Sequence, residues 1–159
     1  MPTDALLLTE DDLRPLAEAA DSIDSCLDIL EAATRALHAG KSAQTTFMGR
    51  NQAAGRPSAR LTLATGEGMD TGIRGFGTPA PDYLKLERPA NTRYYILIDG
   101  ETGGLTAVMN YGLLNPLRVG AAGGLAARHL APKGAKVLGV VGSGQQARTQ
   151  VQAVVRGVP

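Results

Sequence analysis

The sequence has very little cysteine and no excess of charge of either sign, and both shortages limit what the protein does. Cys26 is the only cysteine among the 159 residues. Neither an intrachain disulfide nor a cysteine-based metal site can therefore form, which fits a reducing cytoplasm. Sixteen basic and fifteen acidic residues are scattered without long runs of one sign. Because nucleic acids and anionic membrane surfaces select basic patches, we expect neither as a partner.

Long hydrophobic runs are also missing. No stretch approaches the roughly eighteen apolar residues of a membrane span, and the N-terminus lacks a basic region followed by an apolar core. We therefore expect a cytoplasmic protein whose partner is a small molecule or another protein. The length suits one ordinary domain, or one domain plus a piece of another, and the second option fits the motifs better.

Two amphipathic helices are predicted near the N-terminus. Thr9 and the acidic residues after it have the form of a helix cap and first turn, which predicts a short helix. Ser22 caps a stronger pattern, in which apolar residues recur at three- and four-residue spacing until Gly40, and this predicts a helix over about 23–39. Residues 41–56 are polar and have no period, so they are predicted to form a loop.

From Ala59 onward the apolar period changes to two, and turn residues separate several short runs. This pattern predicts an antiparallel meander. In its clearest part, two runs flank residues 99–104, whose glycines supply the positive φ angles that a hairpin of this length needs. Alternation along one run places Lys85 on the face that meets solvent or a cleft. The predicted strands cover residues 60–64, 71–76, 82–87, 92–98 and 104–109.

A helix rich in glycine and alanine is predicted next. Asn115 is a good N-cap, and Pro116 is tolerated in the first turn. Residues 120–127 have almost no side-chain volume. Since each glycine inside a helix costs stability relative to alanine, we expect a close approach there by another backbone or by a ligand.

Arg118 is predicted in the first turn of this helix, where the positive end of the helix dipole disfavours a cation. A bound anion would reverse that effect, because helix amides and a guanidinium together form a good carboxylate or phosphate site. The alternative is a solvated surface arginine. The sequence pattern leaves both interpretations open.

The most specific motif begins at position 135. An apolar run over residues 135–141, of the kind buried in a parallel sheet, leads directly into Gly142-Ser143-Gly144-Gln145-Gln146-Ala147. Helical spacing follows. This is the G-x-G-x-x-A form of the dinucleotide-binding fingerprint, in the strand–turn–helix context that the fingerprint requires.

Each position of the motif has a physical task. Gly142 allows a tight turn, Gly144 lets the backbone approach a pyrophosphate, and Ala147 lets helix and strand pack closely. The amides of about residues 143–146 would face the phosphate oxygens. An ordinary strand–loop–helix is the alternative. The acidic residue that would bind the ribose is expected beyond the sequence, so NAD and NADP are not distinguished. One strand and one helix cannot bury both faces of a parallel sheet, so we expect residues 136–159 to be poorly ordered unless another chain or segment completes them.

Five short stretches, in this order and spacing, resemble the ornithine cyclodeaminase and mu-crystallin family. They are Pro57-Ser58-Ala59-Arg60, Tyr83-Leu84-Lys85-Leu86, Ile98-Asp99-Gly100-Glu101-Thr102-Gly103, Leu117-Arg118-Val119-Gly120-Ala121-Ala122 and Val137 to Ala147. The resemblance implies an α+β substrate-binding and dimerisation domain over residues 1–115, built on an antiparallel sheet with helices. It also implies a connecting helix and the first β–α unit of a truncated Rossmann α/β domain over residues 116–159.

The resemblance also implies which residues form the site. Arg60 and Lys85 look like the residues that hold the amino-acid carboxylate and the reacting region, with Lys85 as the candidate catalytic residue. Arg118 looks like a neighbour of both substrate and cofactor, and Thr92 looks like a threonine that approaches the cofactor. The implied cofactor is NAD(H) or NADP(H), bound at Gly142 to Gln146. A small amino acid or cyclic imine is the implied substrate, and a homodimer the implied assembly.

Members of this family use a nicotinamide cofactor to oxidise an amine or to reduce an imine, and the cyclodeaminase converts ornithine to proline and ammonia. The resemblance thus implies an NAD(P)-dependent enzyme acting on an amino acid or imine, present as an N-terminal portion. The family's catalytic aspartate matches none of the acidic residues here, so we expect this chain alone to be inactive. The alternative is a mu-crystallin-like protein that binds ligands or dimerises without catalysis. Asn115-Pro116 and Val119 depart from the family pattern and leave the substrate open.

Overall fold

The computed structural model describes residues 4–49, 58–78 and 93–158. They form two compact units. The first unit takes its residues from 1–10 and 39–111, and the second from 11–38 and 112–159. The domain boundary expected between residues 115 and 116 stays a prediction.

The first unit is built on a six-stranded sheet. Its strands are β1 (Leu6–Leu8), β2 (Ser42–Gly49), β3 (Ser58–Gly66), β4 (Met69–Thr78), β5 (Arg93–Ile98) and β6 (Leu105–Asn110). They are ordered β1-β6-β5-β4-β3-β2, and all neighbours are antiparallel except β1 and β6, which are parallel. The predicted meander is present in β3 to β6, but the sheet as a whole is mixed.

Two of these strands were not predicted. β1 has only three residues, too few to show a period. β2 lies in the segment 41–56 that was predicted as a loop, and that prediction is wrong for residues 42–49. Seven of the eight β2 residues are exposed, because β2 is an edge strand. It therefore lacks the alternation of apolar and polar residues on which the prediction of strands depends. The predicted strand over 82–87 lies outside the described residues.

β5 and β6 form the predicted hairpin, and Asp99 organises its turn. The Asp99 carboxylate accepts hydrogen bonds from the hydroxyl and amide of Thr102, at 2.7 and 2.6 Å, and from the amide of Glu101 at 3.1 Å. These bonds hold the pKa of Asp99 below its usual value. Gly103 has a φ of 71°, so one of the glycines supplies the positive φ that the turn needs.

Four helices make up most of the second unit. They are α1 (Glu10–Ala17), α2 (Ser22–His38), α3 (Leu114–Leu130) and α4 (Gln145–Gly157). The first two confirm the predicted helices to within a residue or two. Within the described part of the chain, no helix has both the length and the apolar character that a membrane crossing requires.

Side chains from α2, α3 and α4 form the core of the second unit. Leu27 of α2 and Ala121 of α3 are fully buried, and Ala153 brings α4 into the same cluster. Cys26 packs against this cluster, and burial raises the pKa of its thiol. A protonated, half-buried thiol agrees with the interpretation of Cys26 as a small apolar residue.

Glycines set the distance between α3 and α4. A β-carbon on Gly120 would lie 2.6 Å from the carbonyl oxygen of Thr149, and one on Gly124 would lie 2.5 Å from that of Ala153. A β-carbon on Gly157 would lie 2.5 Å from the carbonyl oxygen of Gly124. All three contacts are with backbone, which cannot yield as a flexible side chain can. The close approach predicted for this helix is therefore made by the backbone of α4.

Residues 135–141 were predicted as a buried parallel strand, and this is wrong for the structure described. Val137 is 93% exposed and Val141 105% exposed. No described strand pairs with the segment. A strand depends on hydrogen bonds from a neighbour, so residues 135–141 do not form one here, and the helix α4 is the part of the predicted β–α unit that is present. α4 is a regular helix that packs on α3. The expectation that residues 136–159 are poorly ordered without a completing segment stays a prediction.

An ionic cluster also joins α2 to α3. The Glu31 carboxylate lies 2.6 Å from the guanidinium of Arg35, 2.8 Å from that of Arg128, and 3.3 Å from Nε2 of His129. The hydrogen bonds from Arg35 and Arg128 lower the pKa of Glu31 to about 2. The carboxylate thus stays charged far into the acid range.

This cluster predicts an acid-sensitive contribution to stability. The folded pKa of Glu31 is lowered from 4.5 to about 2, so its stabilising effect is complete above pH 4.5 and is lost as the pH falls toward 2. Urea unfolding followed by circular dichroism across this range should show that loss, and Glu31→Gln should flatten it. Glu18→Gln is the control, because Glu18 forms an exposed ion pair with Arg14 and such pairs contribute little to stability. Parallel pH profiles for the wild type and Glu31→Gln would contradict the assignment.

Candidate functional site

The turn before α4 has the backbone conformation that a dinucleotide-binding turn needs. Gly142 has a φ of 103°, a region that side-chain-bearing residues rarely adopt. Gly144 is the N-cap of α4, and a β-carbon placed on it would meet no heavy atom within 4 Å. The space in front of Gly144 is therefore open. An anionic group can therefore come close to the backbone at Gly144.

The first amides of α4 lie beside this space. The helical hydrogen bonds begin with those that Ala147 and Arg148 donate to the carbonyl of Gly144, at 3.0 and 3.4 Å. The amides of Gln145 and Gln146 precede them in the chain. No side chain caps α4, its first turn has no acidic residue, and the turn itself is exposed. These features fit the pyrophosphate of a dinucleotide, whose oxygens accept several amide hydrogen bonds.

Arg118 lies further into its helix than predicted. α3 begins at Leu114 with Leu113 as its N-cap, so the predicted capping role of Asn115 is wrong. Instead, Oδ1 of Asn115 accepts a hydrogen bond from the Arg118 guanidinium at 3.0 Å. Arg118 is exposed and is the fifth residue of α3, where the helix dipole acts more weakly on a charge. Its role toward substrate and cofactor stays a prediction.

Arg60 belongs to a row of side chains across the sheet of the first unit. Its partner on β4 is Phe76, whose partner on β5 is Arg93. The guanidinium carbons of Arg60 and Arg93 lie 5.8 and 5.7 Å from the centroid of the Phe76 ring. Both distances suit cation–π contacts. Because directly paired residues point to the same face of a sheet, the two arginines and the ring share one face.

A second row lies two residues further along each strand, on the same face. Thr62, Arg74 and Tyr95 are its members on β3, β4 and β5. The guanidinium of Arg74 lies 3.3 Å from the hydroxyl of Thr62, to which it donates. Thr62 is buried, and its hydroxyl is 3.2 Å from that of Thr46. Arg74 is thus held toward β3.

Arg60 and Arg93 therefore flank Phe76, and Arg74 lies on the same face two residues from Phe76 along β4. We call these four residues the arginine face. Arg60 was predicted as a site residue, whereas Arg74 and Arg93 were not. In the sequence, the alternation along each strand indicates which face of the sheet its arginine is on, and it indicates nothing more about a shared site. Grouping them requires the register between strands, and the period-two pattern does not supply it.

The other predicted site residues are distributed through the chain. Arg60 lies in the first unit, while Arg118 and Gly142 to Gln146 lie in the second. Lys85 and Thr92 fall outside the described residues. The predicted roles of all these residues stay predictions.

A positive-φ glycine turn that leads into a helix start without a side-chain cap suits the pyrophosphate of a dinucleotide. Over residues 15–159, the chain matches the model of the ornithine cyclodeaminase/mu-crystallin family. It belongs to this family, which confirms the resemblance found in the sequence.

Known relatives agree with this assignment. The iminosuccinate reductase of Paracoccus denitrificans (strain Pd 1222) is 46% identical over 57 residues, which are 36% of this chain and 18% of the relative. An archaeal alanine dehydrogenase dimer, solved with bound NAD, matches 96% of this chain with 30% identity and a TM-score of 0.80. Delta(1)-pyrroline-2-carboxylate reductase of Thermococcus litoralis, solved with NADH and L-proline, also matches 96% of it, with 27% identity and a TM-score of 0.80.

The chain spans a little under half of each solved neighbour, 45% of the alanine dehydrogenase and 46% of the pyrroline-2-carboxylate reductase. Both neighbours hold NAD or NADH, the cofactor that the resemblance implied. Both have an amino acid or an imino acid in their names. What they bind and catalyse is therefore the starting point for a proposal about this chain.

Proposed function

We propose that this chain contributes the substrate-binding part and the start of the cofactor-binding part of an NAD(P)-dependent enzyme that interconverts an amino acid and its imine. The observation that carries the proposal is the glycine turn at Gly142 to Gln146, which opens onto the start of α4 in a chain of this family. The relatives described above are one dehydrogenase and two reductases. Imine reduction is thus the reaction to test before ornithine cyclisation.

In this proposal the cofactor's pyrophosphate lies against the backbone at Gly142 and Gly144, and the amides of Gln145 and Gln146 donate to its oxygens. The open space at Gly144 and the absence of acidic residues from the first turn of α4 support this placement. When bound, the nicotinamide would accept or return a hydride. Arg118 and Thr92 would lie beside the cofactor, as the family resemblance implies.

The substrate would be held by its carboxylate. A guanidinium binds a carboxylate through two parallel hydrogen bonds, which fixes orientation as well as position. Arg60 would supply this anchor together with Lys85, and Lys85 would face the reacting carbon and nitrogen. Anchoring reduces the entropy that must be lost before a hydride can move between two bound molecules. A homodimer is the proposed assembly.

The cofactor part of this proposal can be tested on the purified chain. We expect saturable binding of NADH in saturation-transfer NMR, weak because residues 135–141 are not paired in a sheet. If no saturation is transferred from the folded chain to NADH, NADH does not bind and the proposed site is wrong. Added adenosine diphosphate should compete, since it carries the pyrophosphate that the turn is proposed to bind.

A second measurement concerns the catalytic group. Because none of the acidic residues matches the family's aspartate, we expect no amino acid to form when the chain is incubated with NADH, ammonia and a 2-oxo acid. Chromatographic detection of amino acid in many-fold excess over the chain would show that another group serves as acid or base. It would also exclude a purely ligand-binding, mu-crystallin-like protein.

A further inference from the structure

In the proposed function Arg60 anchors the substrate carboxylate, and its side chain is exposed. An arginine side chain has many rotamers, so fixing one of them on a ligand costs conformational entropy. Affinity rises when another part of the protein already restrains the guanidinium before the ligand arrives. The arginine face contains a group that can do this for Arg60.

That group is the ring of Phe76, which meets Arg60 at a directly paired position of β3 and β4. The guanidinium carbon of Arg60 lies 5.8 Å from the ring centroid, within the range of a cation–π contact. β4 is paired with β3 on one side and with β5 on the other, and Phe76 is half-buried. The ring therefore has a fixed place in the sheet from which it can orient the exposed arginine.

A ring restrains a guanidinium in a way that suits an anchor. It attracts the positive charge through its π electrons, and unlike a carboxylate it has no oxygen that would take up the five N–H donors. An acidic side chain in the same place would accept two of those donors and compete with the substrate. In the described part of the chain, no acidic side chain pairs with Arg60. Phe76 thus limits the motion of Arg60 while the donors stay available.

We propose that Phe76 is a positioning residue of this enzyme, whose ring holds the Arg60 guanidinium in the orientation that binds the substrate carboxylate. Phe76 acts through Arg60 and not on the reacting atoms. This inference rests on the proposed function, because it takes Arg60 as the substrate anchor of that enzyme. It applies whatever the side chain of the substrate, since every amino acid presents the same carboxylate to the anchor.

The test measures how tightly the full 159-residue chain binds L-alanine in the presence of NADH, by NMR titration. L-Alaninamide, which lacks the carboxylate, should bind at least about 10-fold more weakly. Phe76→Leu keeps an apolar side chain without a ring and should weaken L-alanine binding about 3-fold. Phe76→Tyr and Phe76→Trp should restore the affinity, because they keep the π electrons, and tryptophan is the strongest partner for a cation.

A spectroscopic readout separates positioning from packing. Protons that lie over an aromatic ring resonate upfield, so the side-chain δ-protons of Arg60 should be shifted upfield in the wild type. The shift should disappear in Phe76→Leu and return in Phe76→Tyr. A role in packing alone would not make L-alanine affinity follow this shift.

Phe47→Leu is the matched control, since it removes the other phenylalanine ring of the chain. Phe47 is 62% exposed on β2 and pairs with Leu61, so it lies on the opposite face of the sheet from Arg60. It should change neither L-alanine affinity nor the Arg60 resonances. Circular dichroism identifies any variant that fails to fold, and Phe76→Met then replaces Phe76→Leu.

Three results would overturn the inference: L-alanine that binds no better than L-alaninamide, an affinity that Phe76→Leu leaves unchanged, or a loss that Phe76→Tyr and Phe76→Trp do not restore. Arg60→Gln distinguishes this failure from failure of the proposed function. If Arg60→Gln abolishes L-alanine binding and Phe76→Leu does not weaken it, the anchor stands and the positioning role is wrong. If the Phe76 variants behave as expected while NADH does not bind, the positioning role stands and the proposed function is wrong. L-Alanine binding is therefore also measured without NADH.

Discussion

Gly124→Leu should lower the free energy of unfolding of the second unit by about 3 kcal/mol or more, because the added side chain has no room between α3 and α4. The first carbon alone would lie 2.5 Å from the carbonyl oxygen of Ala153 and 2.9 Å from its β-carbon. Neither helix can yield locally, so the two backbones must separate. Separation also exposes the core formed by Leu27, Leu117 and Ala121. Urea unfolding followed by helical circular dichroism measures the loss.

Gly123→Ala is the control for this effect. A β-carbon there would come within 1.9 Å of the side-chain oxygen of Gln150, but that atom is the end of a flexible side chain. Gln150 can move at the cost of its 3.2 Å hydrogen bond to the carbonyl of Val119. Alanine also favours a helix by up to about 1 kcal/mol over glycine. We expect Gly123→Ala to change stability little, and a loss equal to that of Gly124→Leu would show that contact with the backbone of α4 costs no more than contact with a flexible side chain of α4.

The close contact between α3 and α4 shows how much of the structure a sequence pattern can predict. The glycine-rich run predicted that something must approach α3 closely, and it left open whether that would be a backbone or a ligand. The partner carries its own small residues, Ala153 and Gly157, about 30 positions further along the chain. Nothing in the sequence of α3 indicates that α4 is its partner. Local periodicity thus predicted the helix and the need for a contact, and the tertiary structure supplied the partner.

The sheet illustrates the same limit. The hairpin of β5 and β6 was predictable because its pairing is local and its turn contains Asp99 and Gly103. β1 pairs with β6 across about 100 residues, and no short-range signal indicates such a contact. The arginine face was not predictable for the same reason. Arg60, Arg74 and Arg93 can be grouped only when the register of three strands is known.

The apolar run 135–141 failed as a prediction for a different reason. Its composition suits a strand buried on both faces, and Val137 and Val141 are instead almost fully exposed. Composition describes the environment that a segment favours, whereas a strand also requires a partner for its hydrogen bonds. The turn that follows does not depend on that partner, because the φ of Gly142 and the start of α4 are local. The glycine turn of the dinucleotide fingerprint is therefore formed, although the strand predicted before it is not.

That geometry leads to the second large effect. Gly144→Val should weaken NADH binding by about 100-fold while leaving the fold intact. In the structure, a β-carbon on Gly144 enters open space, and its backbone angles, φ −75° and ψ −175°, are accessible to any residue. The protein itself therefore tolerates valine, apart from a helix cap that is weaker by up to about 1 kcal/mol. A pyrophosphate lying against the same backbone does not, because the side chain fills its place.

Gly139→Val separates this local effect from a general one. A β-carbon on Gly139 also meets no heavy atom within 4 Å, so the two substitutions add the same bulk to open positions three residues before and two residues after Gly142. Only Gly144 stands at the start of α4, where the amides of Gln145 and Gln146 follow. NADH affinity should thus fall in Gly144→Val and persist in Gly139→Val. Equal NADH affinities in both variants would place the cofactor's phosphates away from the turn. A phosphate bound against Gly144 would clash with the valine side chain and bind more weakly.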